Sequence, residues 1–301
     1  MSADVRDETR SSPELAERIA CVLSDAVPVI EAITGLPLRQ CTVRILKPAR
    51  WRAEVRGFVG RGVARALADS PATAEEQQRA ELMRVHWRVT TRWAWPLLPP
   101  MTITHPDGEP ETIITADAVR HAGLDRTRWG LERTVIHEAV HHAQIRASRG
   151  VVVPPPSSVR PRLFSDRAAP ALMEGHAAWA ELHASHHLLG HWPEEEMRRI
   201  SIHSAARQWL VYARARVGGR WTAWRSGEPA PVPPPRDQRR AAFQRDQPAL
   251  LTPEPWLRFV QDTVSGVGDL GAWNLVWSDP ALVPTDQEIH APDTWLKRVG
   301  I

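Results

Sequence analysis

His137-Glu138-Ala139-Val140-His141 puts two imidazoles and a carboxylate within five residues. On an α-helix, residues four apart stand one above the other on one face, so His137 and His141 can share a single metal ion. Glu138, beside the first histidine, can then reach a water on that metal and act as a general base. The surroundings predict the helix this needs: Leu131, Val135, Ala139 and His142 form one stripe, with Val140, Ala143, Gln144 and Arg146 alongside. Asp125 is the expected N-cap, and Gly150 ahead of a proline run is the expected stop. The neighbours are apolar enough to bury the motif, and buried His and Glu need partners. His142 points about 100° away from His141 and reads as a neighbour of the site, not a ligand.

A catalytic zinc ion takes three protein ligands and leaves a fourth position for water. A third histidine close behind the motif, in the metzincin manner, is excluded because Gln144 and Ala147 stand where glycine and histidine would be needed. The next segment able to help is 171–181, which has a helical pattern, Asp166 as expected cap and Pro170 in the first turn. Glu174 and His176 both qualify. They lie about 200° apart around a helix, so one ion cannot use both, and helix geometry leaves the choice open. Glu181 shares the Glu174 face and could fix the tautomer of a ligand histidine from behind. His183, His186 and His187 read as a solvated helix end.

Glu174-Gly175-His176-Ala177, following an apolar residue, resembles the third-ligand segment of gluzincins, in which the glutamate binds zinc. That resemblance implies His137, His141 and Glu174 as metal ligands, with Gly175 letting the two metal-bearing helices approach. The tail carries a second likeness. Leu275-Val276-Trp277-Ser278-Asp279-Pro280-Ala281-Leu282-Val283-Pro284-Thr285, then Glu288-Ile289, Pro292 and the run 295–299, is similar to the end of an actinobacterial zincin-like family. Its members are described as hydrolases or as deazaflavin-cofactor-biosynthesis-associated, and they carry both metal motifs. Residues 30–37 and 43–51 resemble that family's N-terminal part, while the shorter, Pro-rich middle of this chain departs from it.

The resemblance implies an α+β, mainly helical, zincin-like metallopeptidase fold with a small N-terminal sheet and a His-Glu-x-x-His active-site helix. It implies Zn2+ and a peptide or amide substrate. The expected chemistry is hydrolysis, in which Glu138 takes a proton from zinc-bound water as it attacks a carbonyl and passes it to the leaving amine. An oxyanion donor is expected from His203, Tyr212, His183 or a nearby arginine. The alternative is a catalytically inactive zincin-fold protein that binds or assembles partners in small-molecule metabolism; the intact Glu138 weighs against it.

The remaining elements must hold these residues in place. Residues 1–12 are polar and expected to be disordered, and 13–301 to be one zincin-like domain. Within it, 13–124 supplies N-terminal helices and a small sheet, 125–217 the metal-binding helices, and 218–301 a Pro-rich insertion and a C-terminal helical segment. An apolar repeat from Pro13 to Ile33 predicts a helix stopped by Gly35 and Pro37. Residues 41–46 alternate and predict a strand. Helices are expected over 51–67, despite Gly57, Gly60 and Gly62, and over 74–95, with Trp87, Trp93 and Trp95 as packing anchors. Strands 101–104 and 111–115 flank a turn-rich segment and predict a hairpin, which either offers a sheet edge to an extended substrate or merely caps the core. Further helices are expected over 193–217 and 254–264, separated by a polyproline-type linker at 227–236.

Composition narrows the classes. At 301 residues, with 43% hydrophobic and 24% charged residues, the chain can bury a large core. Of 38 basic residues only Lys47 and Lys297 are lysines, yet the net charge is just +3 and no arginine run stands out. No nucleic-acid partner is expected on that ground. Two cysteines make no disulfide framework, and neither an apolar leader nor an 18-residue apolar run occurs, so a cytoplasmic protein without membrane contact is expected.

Overall fold

The sequence signals translate into elements one by one in a computed structural model, which describes residues 3–68, 72–93, 95, 98, 100–126, 129–153, 168–190 and 254–300. Helix α1 (Pro13–Thr34) buries Ile19, Leu23, Val27 and Ile30, the expected stripe, and ends where Gly35 turns left-handed at φ 64°. Strand β2 (Thr42–Ile45) follows, then α2 (Pro48–Ala68) and α3 (Ala74–Trp93). Helix α2 runs unbroken through its glycines. Trp51, Val55, Val59 and Val63 are all buried at successive i, i+4 positions, and this packing outweighs the glycines' weak helix propensity. The hairpin is present as β3 (Met101–Thr104) and β4 (Pro110–Ile114), and α4 (Ala116–Ala122) is capped by the Thr115 hydroxyl.

One expectation is corrected at the N-terminus. Residues 4–7 are not disordered: they form β1 (Asp4–Asp7), parallel to β2 from Asp4 opposite Thr42 to Asp7 opposite Ile45. The ladder needs backbone groups more than apolar side chains, and Asp4 N–H donates to Cys41 O at 2.9 Å while Glu8 N–H donates to Ile45 O at 3.1 Å. The polar side chains also find partners. Buried Arg44 on β2 gathers Glu8, Glu54 and Glu111 at 2.6, 3.3 and 2.9 Å, and Asp7 accepts from the backbone of Thr9, Arg10 and Ser12.

The four strands lie in the order β1-β2-β4-β3, with β1, β2 and β4 parallel and β3 antiparallel at one edge. Against this sheet pack α1 and α5 (Gly130–Ser148), and α6 (Ala168–Leu189) lies across both helices. The tail comprises α7 (Glu254–Val267), α8 (Leu270–Asn274), two 3-10 turns at Leu275–Trp277 and Pro280–Leu282, α9 (Asp286–Ile289) and α10 (Pro292–Val299). It closes the core with fully buried Trp273, Trp277 and Trp295. The fold is therefore α+β and mainly helical, with a small sheet. Among the described residues, no helix is long and apolar enough to cross a membrane. Cys21 is exposed and Cys41 is buried; both are free thiols, and burial pushes Cys41 up to about 12. The helix expected over 193–217 and the linker at 227–236 lie outside the described residues.

Candidate metal centre

Helix α5 is buried on nearly every side, from Leu131 and Val135 through the unbroken run Glu138–Ile145. A helix apolar all round belongs in the core, so its few polar residues must pair there. Its start corrects the Asp125 expectation. The helix begins at Gly130 with Trp129 at the N-cap, too far along for Asp125 to reach, and Glu132 in the first turn is held by Arg18 instead, at 2.6 Å. At the other end Arg149 and Gly150 are both left-handed, giving the expected stop.

His137 and His141 stack edge to face with ring centroids 4.8 Å apart. Glu174, reaching across from α6, comes within 3.2 Å of His137 Nε2 and 3.7 Å of His141 Nε2. One ligand atom from each of His137, His141 and Glu174 lies within 4.8 Å of the others, close enough to grip one cation. The competing residue, His176, faces elsewhere. It is buried against Trp273, Trp277 and Trp179, with centroid separations of 5.0, 5.3 and 5.6 Å. Burial, helped by His141, pushes its imidazole down to about 3, so it stays neutral there.

Gly175 is also reassigned. An added Cβ would lie 2.6 Å from Trp256 Cβ and 2.9 Å from the Trp256 backbone. The close approach that demands glycine is therefore between α6 and the tail helix α7, not between the two metal-bearing helices.

Behind each of these two imidazoles stands an acceptor. Glu181 Oε2 lies 3.3 Å from His137 Nδ1, and its Oε1 accepts from Arg133 at 2.6 Å. Gln144 Oε1 lies 2.8 Å from His141 Nδ1, while the Gln144 amide donates to Met173 O at 2.9 Å and pairs with His176 Nδ1 at 3.0 Å. Both partners accept from Nδ1–H, so each Nε2 faces the space shared with Glu174: protonated, His137 Nε2 donates to Glu174, and deprotonated, each Nε2 lone pair is free for a cation held there with the carboxylate. Glu181 is the expected helper of a ligand histidine. Sequence reading missed Gln144, whose long side chain lies beside the apolar stripe but whose partners sit on another helix.

The charges agree with a cation site. Burial would depress the His137 imidazole, but its bonds to Glu174 and Glu181 hold it well above its usual value. Burial would raise Glu174, and the charges of His141 and His137 together with the His137 bond instead hold it down at about 2. Two carboxylates around one imidazole make a well for positive charge, whether proton or metal ion.

Glu138 lies near enough to feel the charges of His141, His137 and Glu174, and one of its oxygens is tied to the sheet. Its Oε2 accepts from Thr102 Oγ1 on the edge strand β3 at 2.6 Å. Thr102 Oγ1 lies 2.9 Å from Thr112 Oγ1, which lies 2.9 Å from His142 Nε2. An ionised carboxylate only accepts, so the direction of the whole chain follows: His142 Nε2–H to Thr112, Thr112 to Thr102, Thr102 to Glu138. His142 Nδ1 then carries a lone pair, and among the described residues it has no hydrogen-bond partner. Burial raises the Glu138 carboxyl, with the nearby His141 and His137 charges opposing. A base with a raised pKa suits proton transfer near neutral pH. Of the expected oxyanion donors, His203 and Tyr212 lie outside the described residues, His183 bonds Trp179 O at 2.8 Å, and Arg133 is committed to Glu181. No family model, curated protein or solved structure matches this chain, so what the site can do is read from its own atoms.

Proposed function

We propose that this protein is a zinc-dependent hydrolase, a metallopeptidase that cleaves a peptide or amide bond, built on a zincin-like fold. One observation carries the reading: three ligand atoms converge within 4.8 Å beside a buried glutamate, with both ligand imidazoles anchored from behind. The donor set of two neutral imidazole nitrogens and one carboxylate oxygen fits zinc, and His137, His141 and Glu174 would hold it. When bound, zinc supplies a Lewis acid for the scissile carbonyl and acidifies a water so that it can attack.

The chain's own residues do the rest. Thr102 fixes one oxygen of Glu138, and the other accepts a proton from the attacking water. Glu138 then returns that proton to the leaving nitrogen as the C–N bond breaks. The edge strand β3 would align an extended substrate, a reading supported by Thr102 lying on that strand in contact with Glu138.

A second reading is a zincin-fold protein that binds partners in small-molecule metabolism without hydrolysing them. It is favoured by the 7% exposure of Glu138, whose carboxylate already carries a hydrogen bond.

The test combines metal analysis with a peptide-library digest. The purified protein is expected to carry zinc, and Glu174→Ala to lose it. Glu138→Gln is expected to keep the metal and lose hydrolysis. Full hydrolysis by Glu138→Gln would remove the general-base role; a zinc-loaded wild type that cleaves nothing in the library would leave the binding reading in its place.

A further inference from the structure

One backbone carbonyl decides which nitrogen of His141 can meet a cation. Met173 O only accepts, so the Gln144 amide must turn its NH2 group toward it, at 2.9 Å. Gln144 Oε1 then faces His141 Nδ1 at 2.8 Å, which puts a proton on Nδ1 and turns Nε2 to the cation side. The second amide hydrogen goes to His176 Nδ1 at 3.0 Å, so that nitrogen is an acceptor and His176 carries its own proton on Nε2. Met173 and His176 lie within one turn of Glu174 on α6. The helix that brings the carboxylate therefore also fixes the ring of His141.

The C-terminal tail holds the same turn of α6. The His176 ring stacks on Trp273 with the planes 17° apart, and it meets Trp277 edge-on. Gly175, next to Glu174, leaves no room for a side chain against Trp256. Trp273 Nε1 donates to Thr263 Oγ1 at 3.0 Å, tying it to α7, and Asn274 Nδ2 donates to Thr34 O at 2.8 Å, tying the tail to the end of α1. Gln144, His176, Trp273 and Trp277 are all buried. In so dry a place an amide that loses a partner finds no water to replace it, so the connection from tail to His176, Gln144 and His141 is stiff.

We propose that His176 is a positioning residue through which a cation at His137, His141 and Glu174 and the docked tail, residues 254–300, stabilise each other. This linkage rests on the cluster being a cation site, whether or not the protein hydrolyses anything. A cation needs His141 Nε2 bare, which is the form the docked tail enforces through Gln144. By reciprocity, the factor by which docking tightens the cation is the factor by which the cation tightens docking.

Zinc alone is the probe, added to the full-length, chelator-treated protein. In hydrogen–deuterium exchange it should slow the peptides containing Trp256 and residues 273–277 by about fivefold or more. Helices α2 and α3, which pack in separate apolar clusters, should change by less than about twofold. Competition with a chromogenic chelator reads the other direction. His176→Phe keeps a ring between the tryptophans but offers Gln144 no acceptor, and should weaken zinc on the order of tenfold. His176→Asn, which keeps an acceptor near the Nδ1 position, should recover part of that loss. Trp51→Phe, in the separate core beneath α2, lowers stability away from this path and should leave zinc affinity within about twofold. Three results would overturn the linkage: zinc bound with the tail exchanging no more slowly, or with every peptide slowed alike; His176→Phe binding zinc as tightly as wild type; or equal weakening in Trp51→Phe. A wild type that binds no zinc would instead remove the cation reading beneath it, and the linkage with it.

Discussion

The two histidines of the candidate metal cluster, His137 and His141, are supported by walls of opposite character. Behind His137 stands an ionic pair, Glu181 with Arg133, whose side chains keep 14% and 17% of their exposure. Behind His141 stands a neutral chain, Gln144 to His176, buried and closed by tryptophans. Both walls perform one task, holding Nδ1–H so that Nε2 turns to the space shared with Glu174. A carboxylate can do this where solvent still reaches and a guanidinium stands beside it; in the dry wall an unpaired charge would cost several kcal/mol, and an amide does the work instead. The chemistry of a supporting residue thus follows from how much water its surroundings admit.

Exchanging the two supports is the strongest way to break this contrast. Gln144→Glu keeps an acceptor for His141 but puts a charge against Met173 O and removes the donor to His176. It should destabilise the protein by about 3 kcal/mol, read from urea denaturation. Wild-type stability would mean that the wall is not dry. The reverse exchange, Glu181→Gln, also keeps an acceptor but strands Arg133, and should weaken metal affinity on the order of tenfold in a competition with a chromogenic chelator. Tighter metal binding would show the ionic pair to be a hindrance.

The same substitution sharpens the contrast through pH. Burial would raise Glu181, but the His137 bond and the Arg133 charge hold it below its ordinary 4.5. A depressed carboxyl stabilises the fold above its ordinary value and loses that contribution as pH falls through the lower folded value. Chelator-treated wild type should therefore lose stability below about pH 4.5 more steeply than Glu181→Gln, measured as urea midpoints down to pH 3. The smallest effect is expected from Thr102→Val, which touches neither wall. Metal affinity should not change, stability should fall by about 1 kcal/mol, and hydrolysis should slow because Glu138 loses its anchor.

How much of this was legible beforehand depended on the range of the interaction. His137 and His141 are related by one helical turn, so their spacing alone announced a shared target. The choice between Glu174 and His176 was not readable from helix geometry, because it depends on how α6 is rotated. That rotation depends on contacts with α5, through Arg133 and Gln144, and with Trp256, Trp273 and Trp277, some eighty to one hundred positions further along. Gln144 stayed hidden for the same reason, since Met173 and His176 give it its role. The strand at residues 4–7 escaped notice because its pairing is carried by backbone groups and by ion pairs to distant residues, neither of which leaves an apolar alternation. Helices α1 and α2 and the hairpin were legible because their own periodicity and turn residues specify them.

The contact of Gly175 with Trp256 has a consequence for the order of events during synthesis. Both imidazoles and Glu174 emerge from the ribosome well before the segment that seats α6. Until Trp256, Trp273 and Trp277 arrive, α6 has only α1 and α5 to pack against, and its Gly175 and His176 face is uncovered. A growing chain therefore carries all three side chains before the wall that closes over α6 exists. The remote tail is thus part of what holds the three side chains together, and its docking is the last step in assembling their surroundings.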